Sequence, residues 1–144
     1  LLKQKDIEYI TLGNNYRSVQ AGKENSHNVY YGDALNKDIL ISSGINAANS
    51  VIIAMEDDLT CLKITRFIHD NFPHVNVVTK VNSDSNSGRL KMVGAGSIVS
   101  QDMETSLQLA KNALISIGAD NKDIEVFLNE FRNLNDKIDK PTEQ

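Results

Sequence analysis

The sequence predicts an α/β fold with a doubly wound parallel sheet, and two features support this prediction. Short runs of β-branched and aromatic residues, typical of buried strands, occur at Val29–Tyr31, Ser50–Met55 and Val75–Val78. The segments between them, 36–44 and 58–72, have the apolar spacing of helices. Strands that alternate with helices run parallel and are joined by crossovers. We therefore expect Ser50–Met55 to lie inside one parallel sheet and not at its edge.

The same alternation extends toward both ends of the chain. The side chains of residues 7–12 alternate between the two faces of an extended segment, which predicts a strand. Residues 15–26 predict a polar helix. After the third run, the pattern predicts a short helix at 89–96 and a last strand at Ile98–Val99. Gly44 directly follows one of the predicted helices, which is the usual position of a glycine that ends a helix.

Two amphipathic helices are predicted after the sheet. The first has an a/d-like seam with spacings of four and three, formed by Met103, Leu107, Ala110, Leu114 and Ile117. The second has an apolar stripe formed by Ile124, Phe127, Leu128, Phe131 and Leu134. An apolar stripe on a helix requires a surface that covers it. Because both faces of the predicted sheet already have helices, packing of these two helices on their own sheet is the less favoured arrangement.

Composition and charge argue against several classes of protein. The chain has 15 basic and 19 acidic residues, and this net charge of −4 does not favour a nucleic-acid partner. No apolar run approaches the roughly 20 residues that cross a bilayer, and Leu1–Lys5 do not resemble a signal peptide. The single cysteine, Cys61, lies in an apolar helical pattern, which predicts a buried residue in a reducing compartment.

Polar residues follow two of the predicted strands. Gly32–Ala34 come after the first run, and Glu56–Asp58 come after the second. Because ligands of open α/β sheets bind at the carboxyl ends of the strands, these residues are candidates for a site. Asp33 can accept a hydrogen bond from an exocyclic amine or cap the next helix. The carboxylates of Glu56–Asp58 suit a helix N-terminus, and without a further convergent ligand no metal is expected there.

The order of these motifs resembles that of a known family, the RCK or TrkA-N domain, which regulates potassium channels and transporters. The matching segments are Tyr31–Ala34, Asp38–Leu40, Gly44–Ile45, Ser50–Ala54 and Asp57–Asp58. The sequence is most similar to the cytoplasmic domain of Kef-type potassium efflux systems, from about Asn28 to Arg132. The resemblance implies a Rossmann-like sheet and a regulatory domain without catalytic residues.

The resemblance also implies a ligand and a partner. The ligand would be an adenine nucleotide, NAD(H) or AMP, and the partner would be a membrane-embedded potassium channel or antiporter subunit. The domain would lie at the cytoplasmic face of the inner membrane. The implied cofactor-binding residues are Asn14, Asn15, Gly32, Asp33, Ala34, Met55 and Glu56. Gly32–Ala34 would lie beside the adenine, Asn15 by the ribose and Met55–Glu56 near the phosphates.

The sequence departs from the family pattern at three places. It contains no Gly-x-Gly-x-x-Gly turn, and Leu1–Lys5 look like the end of the helix that follows such a turn, so we expect the first strand and turn to be missing from this sequence. Gly13 and Asn15 occupy positions that are acidic in Kef-type relatives. Asn82 replaces an arginine that lies at the glutathione carboxylate in those relatives. Because an amide lacks the charged, bidentate grip of arginine, glutathione is not expected to bind.

We predict three segments with different roles. Residues 1–100 form the Rossmann-like TrkA-N domain, residues 101–136 form the crossover and dimerisation helices, and residues 137–144 form a polar tail. The family resemblance implies a homodimer that is held by the helices of the second segment. The chain would act as a binding module with no chemistry of its own.

Other classes of protein fit the sequence less well. An NAD(P)-binding oxidoreductase-like domain needs a proton relay, but no tyrosine has a lysine four positions later and no Ser-His-Asp pattern occurs. A phospho-acceptor receiver domain would use Asp33, but in receivers the acidic pair precedes the acceptor, whereas Asp57–Asp58 follow it. A degenerate dimerisation module without any ligand is the remaining alternative.

Overall fold

The computed structural model describes residues 2–83 and 86–138, and the chain divides into two compact units. Unit 1 is Leu1–Asn49 and unit 2 is Ser50–Gln144. This division by contacts differs from the predicted division by role into 1–100, 101–136 and 137–144, and that division stays a prediction. Of the predicted polar tail, residues 139–144 lie outside the described part of the chain.

Unit 1 is a parallel two-stranded ribbon with helices. Its elements are β1 (Thr11–Gly13), α1 (Tyr16–Glu24), β2 (Val29–Tyr31) and α2 (Lys37–Ser42), with single 3-10 turns at Lys3–Lys5 and Ile45–Ala47. The register aligns Thr11 with Val29 and Gly13 with Tyr31, so both strands end at the same level. Helix α1 packs closely on this ribbon, because a Cβ atom at Gly13 would lie 2.9 Å from Cγ2 of Val19.

The first predicted strand is shorter than expected. Residues 7–10 are not in a strand, and β1 begins only at Thr11, whose N–H donates to the Asn28 carbonyl at 2.9 Å. The reason is the short partner strand, because β2 has three residues and offers ladder positions to three residues only. In the segment predicted as a helix tail, Lys3–Lys5 form a 3-10 turn, which is a common end of a helix, and the prediction stays open.

Unit 2 is a parallel three-stranded sheet followed by two long helices. Its strands are β3 (Ser50–Ile53), β4 (Asn76–Val81) and β5 (Ser97–Ser100), in the order β3-β4-β5. Its helices are α3 (Asp58–Asn71), α4 (Ser87–Met92), α5 (Gln101–Ser116) and α6 (Asn121–Ile138). The buried apolar side chains of the strands and of α3 and α4 are Ile53, Cys61, Leu62, Ile64, Ile68, Val77, Val81 and Leu90. None of the described helices is long and apolar enough to cross a membrane.

The parallel pairing of all described strands confirms the predicted α/β fold. Within the described residues β3 pairs only with β4, so the expectation that Ser50–Met55 lies inside the sheet is wrong for this chain. A run of β-branched residues indicates a strand but does not fix its place in a sheet, so the sequence did not show that β3 pairs on one side only.

The loop between α4 and β5 contains a glycine pair with a structural role. Gly94 has a φ of 100°, and a Cβ atom added to it would overlap the ring of His69. A Cβ atom at Gly96 would overlap the side-chain oxygen of Asn76. The N–H of Gly96 also donates to the Val77 carbonyl at 2.8 Å, which joins the loop to β4. These glycines allow close packing and are not part of a nucleotide-binding turn.

Helices α5 and α6 pack on each other within one chain. Leu107 of α5 and Ile124 and Leu128 of α6 are buried together, and Met103 and Leu114 pack against them. Met103, Leu107 and Leu114 of the predicted α5 seam therefore pack against α6 of the same chain, whereas Ile117 is exposed. Arg132 of α6 also forms an ion pair with Glu104 of α5. Its Nε and Nη2 donate to the two carboxylate oxygens of Glu104 at 3.0 and 2.9 Å.

We expect Gly94→Ala to lower the free energy of unfolding by about 1 to 3 kcal/mol, because it combines a positive φ with a clash against a ring. Gly88→Ala is the matched control, since Gly88 lies in α4 with open space around the added methyl group. Alanine is the better helix former, so the control should be neutral or stabilising. Urea unfolding of both variants measures the difference. Equal stability of the two variants would contradict the role assigned to Gly94.

The Arg132 guanidinium lowers the pKa of Glu104 below its ordinary value. A carboxylate with a lowered pKa stabilises the fold above its ordinary pKa of about 4.3, and this contribution disappears as the pH falls through the folded-state pKa. We expect Glu104→Gln to destabilise the chain by about 0.5 kcal/mol at neutral pH, because the pair is partly exposed, and by nearly nothing near pH 3. Denaturant unfolding at both pH values tests this, with the exposed Glu130→Gln as control. If Glu104→Gln lowered the free energy of unfolding equally at both pH values, the ion pair would not be the cause of the effect.

Candidate functional site

Asp33 lies in a tight turn directly after β2. Its Oδ1 accepts a hydrogen bond from the Leu35 N–H at 2.9 Å, and its carbonyl accepts from the Asn36 N–H at 3.1 Å. The cap of α2 is Asn36, whose side chain accepts from the N–H groups of Asp38 and Ile39. Asp33 therefore shapes the turn and does not cap the helix. Its exposed Oδ2 has no hydrogen-bond partner in the described part of the chain and can accept one from a ligand.

Gly32 is required by packing. It is buried, its N–H donates to the Gly13 carbonyl at 3.0 Å, and a Cβ atom would lie 2.8 Å from Cγ2 of Ile39. A larger residue here would push α2 away from the ribbon. The half-buried Ala34 follows in the same turn. The close packing at Gly32 thus fixes the backbone from which Asp33 follows.

Asn15 caps α1 at the end of the neighbouring strand. Its Oδ1 accepts from the Ser18 N–H at 3.2 Å, which leaves the side-chain NH₂ group as a hydrogen-bond donor. Asn14 is exposed beside it. Gly13 has no side chain, and a carboxylate side chain at this position would have little room, because Val19 packs over it. Because the strands end in register, unit 1 brings Asn14, Asn15, Gly32, Asp33 and Ala34 to one edge.

In unit 2, two of the three strand-end carboxylates have structural partners. Asp57 caps α3 by accepting from the Thr60 N–H at 2.8 Å and hydroxyl at 2.6 Å, and these bonds lower the pKa of Asp57. Asp58 accepts from the Asn82 N–H at 3.1 Å and from the Asn86 side chain at 2.9 Å. Met55 and Glu56 precede this pair at the carboxyl end of β3, and the Glu56 side chain is exposed. Within the described ranges, no three His, Cys, Asp or Glu side chains form a cluster that could hold a metal.

Asn82 has a structural role that the sequence analysis missed. Its side-chain Nδ2 donates to the Glu56 carbonyl at 2.7 Å, while its backbone N–H binds Asp58. Asn82 therefore joins the end of β4 to the loop that follows β3. The sequence carried a signal for this contact, because an asparagine and an acidic run that follow neighbouring parallel strands lie at the same edge.

The predicted burial of Cys61 is confirmed. Its side chain is fully buried in α3, and its Sγ lies 3.5 Å from the Met55 carbonyl. Burial raises the pKa of the thiol, which keeps it protonated at neutral pH.

Comparison with known proteins identifies the family. The sequence model of the TrkA-N domain matches residues 1–101. This chain belongs to the TrkA-N domain family. The match confirms the resemblance to TrkA-N domains that the Gly32–Ala34 turn and the order of the strand-end motifs indicated.

Solved structures support the same fold. The AMP-bound C-terminal domain of Kef from Shewanella denitrificans has a TM-score of 0.70 at 20% identity, over 90% of this chain and 93% of that one. The GsuK channel bound to NAD has a TM-score of 0.68 at 17% identity, over 75% of this TrkA-N chain and 20% of that chain. The GsuK RCK domain has a TM-score of 0.64 at 27% identity, over 81% of this chain and 26% of that one. The Rossmann-like fold is thus confirmed.

Glutathione should not bind to this TrkA-N domain. Asn82 has no charge, and its amide already donates to the Glu56 carbonyl. Calorimetric titration with reduced glutathione should therefore give no saturable heat at millimolar concentration. A tight complex would show that other residues replace the arginine of the Kef-type relatives.

Proposed function

We propose that this TrkA-N domain binds an adenine nucleotide and regulates potassium transport through a membrane partner at the cytoplasmic face of the inner membrane. The observation that carries the proposal is the turn at Asp33, which directly follows a parallel strand. Oδ2 of Asp33 is left without a hydrogen-bond partner among the described residues and can accept a bond from a ligand. The AMP in the Kef domain and the NAD in GsuK support this ligand class. The domain itself catalyses no reaction in this proposal.

The unit 1 edge provides hydrogen-bonding groups that suit adenosine. The exocyclic amine of adenine donates, and Oδ2 of Asp33 can accept this bond. The NH₂ group of Asn15 can donate to ribose oxygens, since its Oδ1 is used in the helix cap. Asn14, Gly32 and Ala34 would line the same edge.

Met55 and Glu56 of unit 2 are proposed to lie near the phosphates. Glu56–Asp58 place three carboxylates at this strand end, and like charges repel a phosphate. This arrangement favours NAD(H) or AMP over nucleoside triphosphates.

The proposed regulation works through unequal binding. A nucleotide shifts an equilibrium between two conformations only by the difference between its affinities for them. The nucleotide would favour one hinge state of a dimer, and the membrane-embedded channel or antiporter subunit would open or close with that state.

A nucleotide titration tests the site. AMP or NADH should raise the melting temperature of the chain, extended by any residues that its gene encodes before Leu1, since a glycine-rich turn strengthens phosphate binding. Asp33→Asn should weaken AMP binding about tenfold, because Oδ1 can still accept from Leu35 while the second acceptor becomes a donor. Asp70→Asn, on the exposed side of α3, is the control. If no adenine nucleotide binds, the chain is better described as a structural dimerisation module.

The homodimer is proposed to form on an apolar strip beside the α5–α6 core. We define this strip as Leu114, Ile117, Ala119, Phe127 and Phe131. Ile117 is 78% exposed, Phe127 53% and Phe131 47%, and a shallow apolar pocket lies between Leu114 and Phe127. Exposed aromatic residues grouped in this way are typical of interfaces. The strip keeps Leu114 and Ile117 of the seam predicted on α5, while Met103 and Leu107 of that seam pack against α6.

We expect the wild-type chain to sediment at twice its mass and Phe127→Glu to shift it toward monomer, because the variant places a charge in the interface. Leu109→Glu is the matched control, since Leu109 is 65% exposed on α5 but faces away from the buried Leu107. The control should remain dimeric. A wild type that is monomeric at high micromolar concentration, or equal effects of the two variants, would contradict this interface.

A further inference from the structure

The carboxyl end of β1 lacks the acidic residue that NAD-binding Rossmann domains place there. In such domains a carboxylate accepts a hydrogen bond from the ribose 2′-hydroxyl, whereas an arginine nearby accommodates a 2′-phosphate. Here the strand end continues as Gly13-Asn14-Asn15-Tyr16-Arg17. The segment thus has no carboxylate and one guanidinium.

The structure limits what this segment offers to a ligand. Val19 packs over Gly13, and Oδ1 of Asn15 is used in the cap of α1. The remaining side-chain groups of Asn15 and Arg17 are hydrogen-bond donors. Arg17 is exposed in the first turn of α1 and has no ion pair among the described residues.

The charges of unit 1 do not oppose an anion at this place. Unit 1 has five basic and five acidic residues, and the first turn of α1 has no acidic residue. The acidic residue at the end of β2 is Asp33, which has one oxygen in its own turn and the other assigned to the adenine amine. The acidic excess of the chain belongs to unit 2.

We propose that this domain prefers adenine nucleotides that carry a phosphate on the ribose 2′-oxygen, with Arg17 as the residue that determines this preference. The proposal rests on the adenine-nucleotide function given above and specifies its ligand class. A phosphate group has only acceptors at its ionised oxygens, so it suits a strand end that has an arginine and no carboxylate. A free 2′-hydroxyl would not find the charged acceptor that it meets in NAD-specific sites.

Three nucleotides separate this preference from a general effect of charge. Adenosine 2′,5′-bisphosphate carries the phosphate at the proposed position, adenosine 3′,5′-bisphosphate carries the same charge at the neighbouring position, and 5′-AMP carries neither. Calorimetric titration of the same extended chain should rank the 2′,5′-bisphosphate first by about 10- to 100-fold, as expected for charged hydrogen bonds.

Variants then assign the preference to residues. Arg17→Gln should remove the preference for the 2′,5′-bisphosphate and leave 5′-AMP affinity within about twofold, since AMP lacks the group that Arg17 binds. Asn15→Asp should weaken the 2′,5′-bisphosphate at least tenfold, because aspartate keeps the helix cap but adds a repelling charge. Lys23→Gln, at the other end of α1, removes the same charge as Arg17→Gln and should change nothing.

The outcomes are distinct. If 5′-AMP binds as tightly as the 2′,5′-bisphosphate, if the 3′,5′ isomer binds equally well, or if Arg17→Gln keeps the preference, the proposal is wrong while the adenine-nucleotide function stands. If none of the three nucleotides binds, both are wrong. The proposal is supported by the expected ranking together with its loss in Arg17→Gln and its retention in Lys23→Gln.

Discussion

Parallel strand pairing is the constraint on which the rest of this TrkA-N domain depends. Each crossover must return the chain to the start of the next strand, so strands that pair in register end at one edge. In unit 1 this aligns Gly13 with Tyr31 and brings Asn15 and Asp33 to neighbouring strand ends. In unit 2 it brings Asn82 to the loop after β3. Residues that are far apart in the sequence thus become neighbours without any contact specific to a ligand.

Helix and turn formation uses many of the polar groups at these edges. Asn15 and Asp57 each give a side-chain oxygen to a helix cap, and Asp33 gives one to its own turn. Asp58 binds two asparagine donors. These bonds satisfy backbone N–H groups that have no partner within a helix or strand. They also determine which atoms remain for a ligand, because an oxygen that already accepts is oriented toward its donor.

The sequence predicted those elements whose signals are local. The bounds of β2 and the end of α2 before Gly44, which has a φ of 89°, followed from β-branched and aromatic residues and from a helix-stop glycine. The extent of β1 did not, because it is set by the three residues of its partner strand and not by its own alternation. The α5 seam was recognised, but its partner was not, since an apolar stripe fits α6 of the same chain as well as another subunit. At the site, the sequence located Asp33 but not the bond from Asn82 to Glu56, which depends on how two loops approach each other.

The carboxyl ends of β1 and β3 differ in charge, although both are ends of parallel strands. The three carboxylates after β3 oppose an anion, and hydrogen bonds hold the side chains of Asp57 and Asp58 in place. The end of β1 instead presents the donors of Asn15 and Arg17. A phosphate oxygen gains from donors and loses near carboxylates, so a phosphate on the ribose 2′-oxygen should favour the β1 end. In the proposed site, the position of the charged groups, and not the fold alone, would therefore decide which phosphorylated form of adenosine the domain distinguishes.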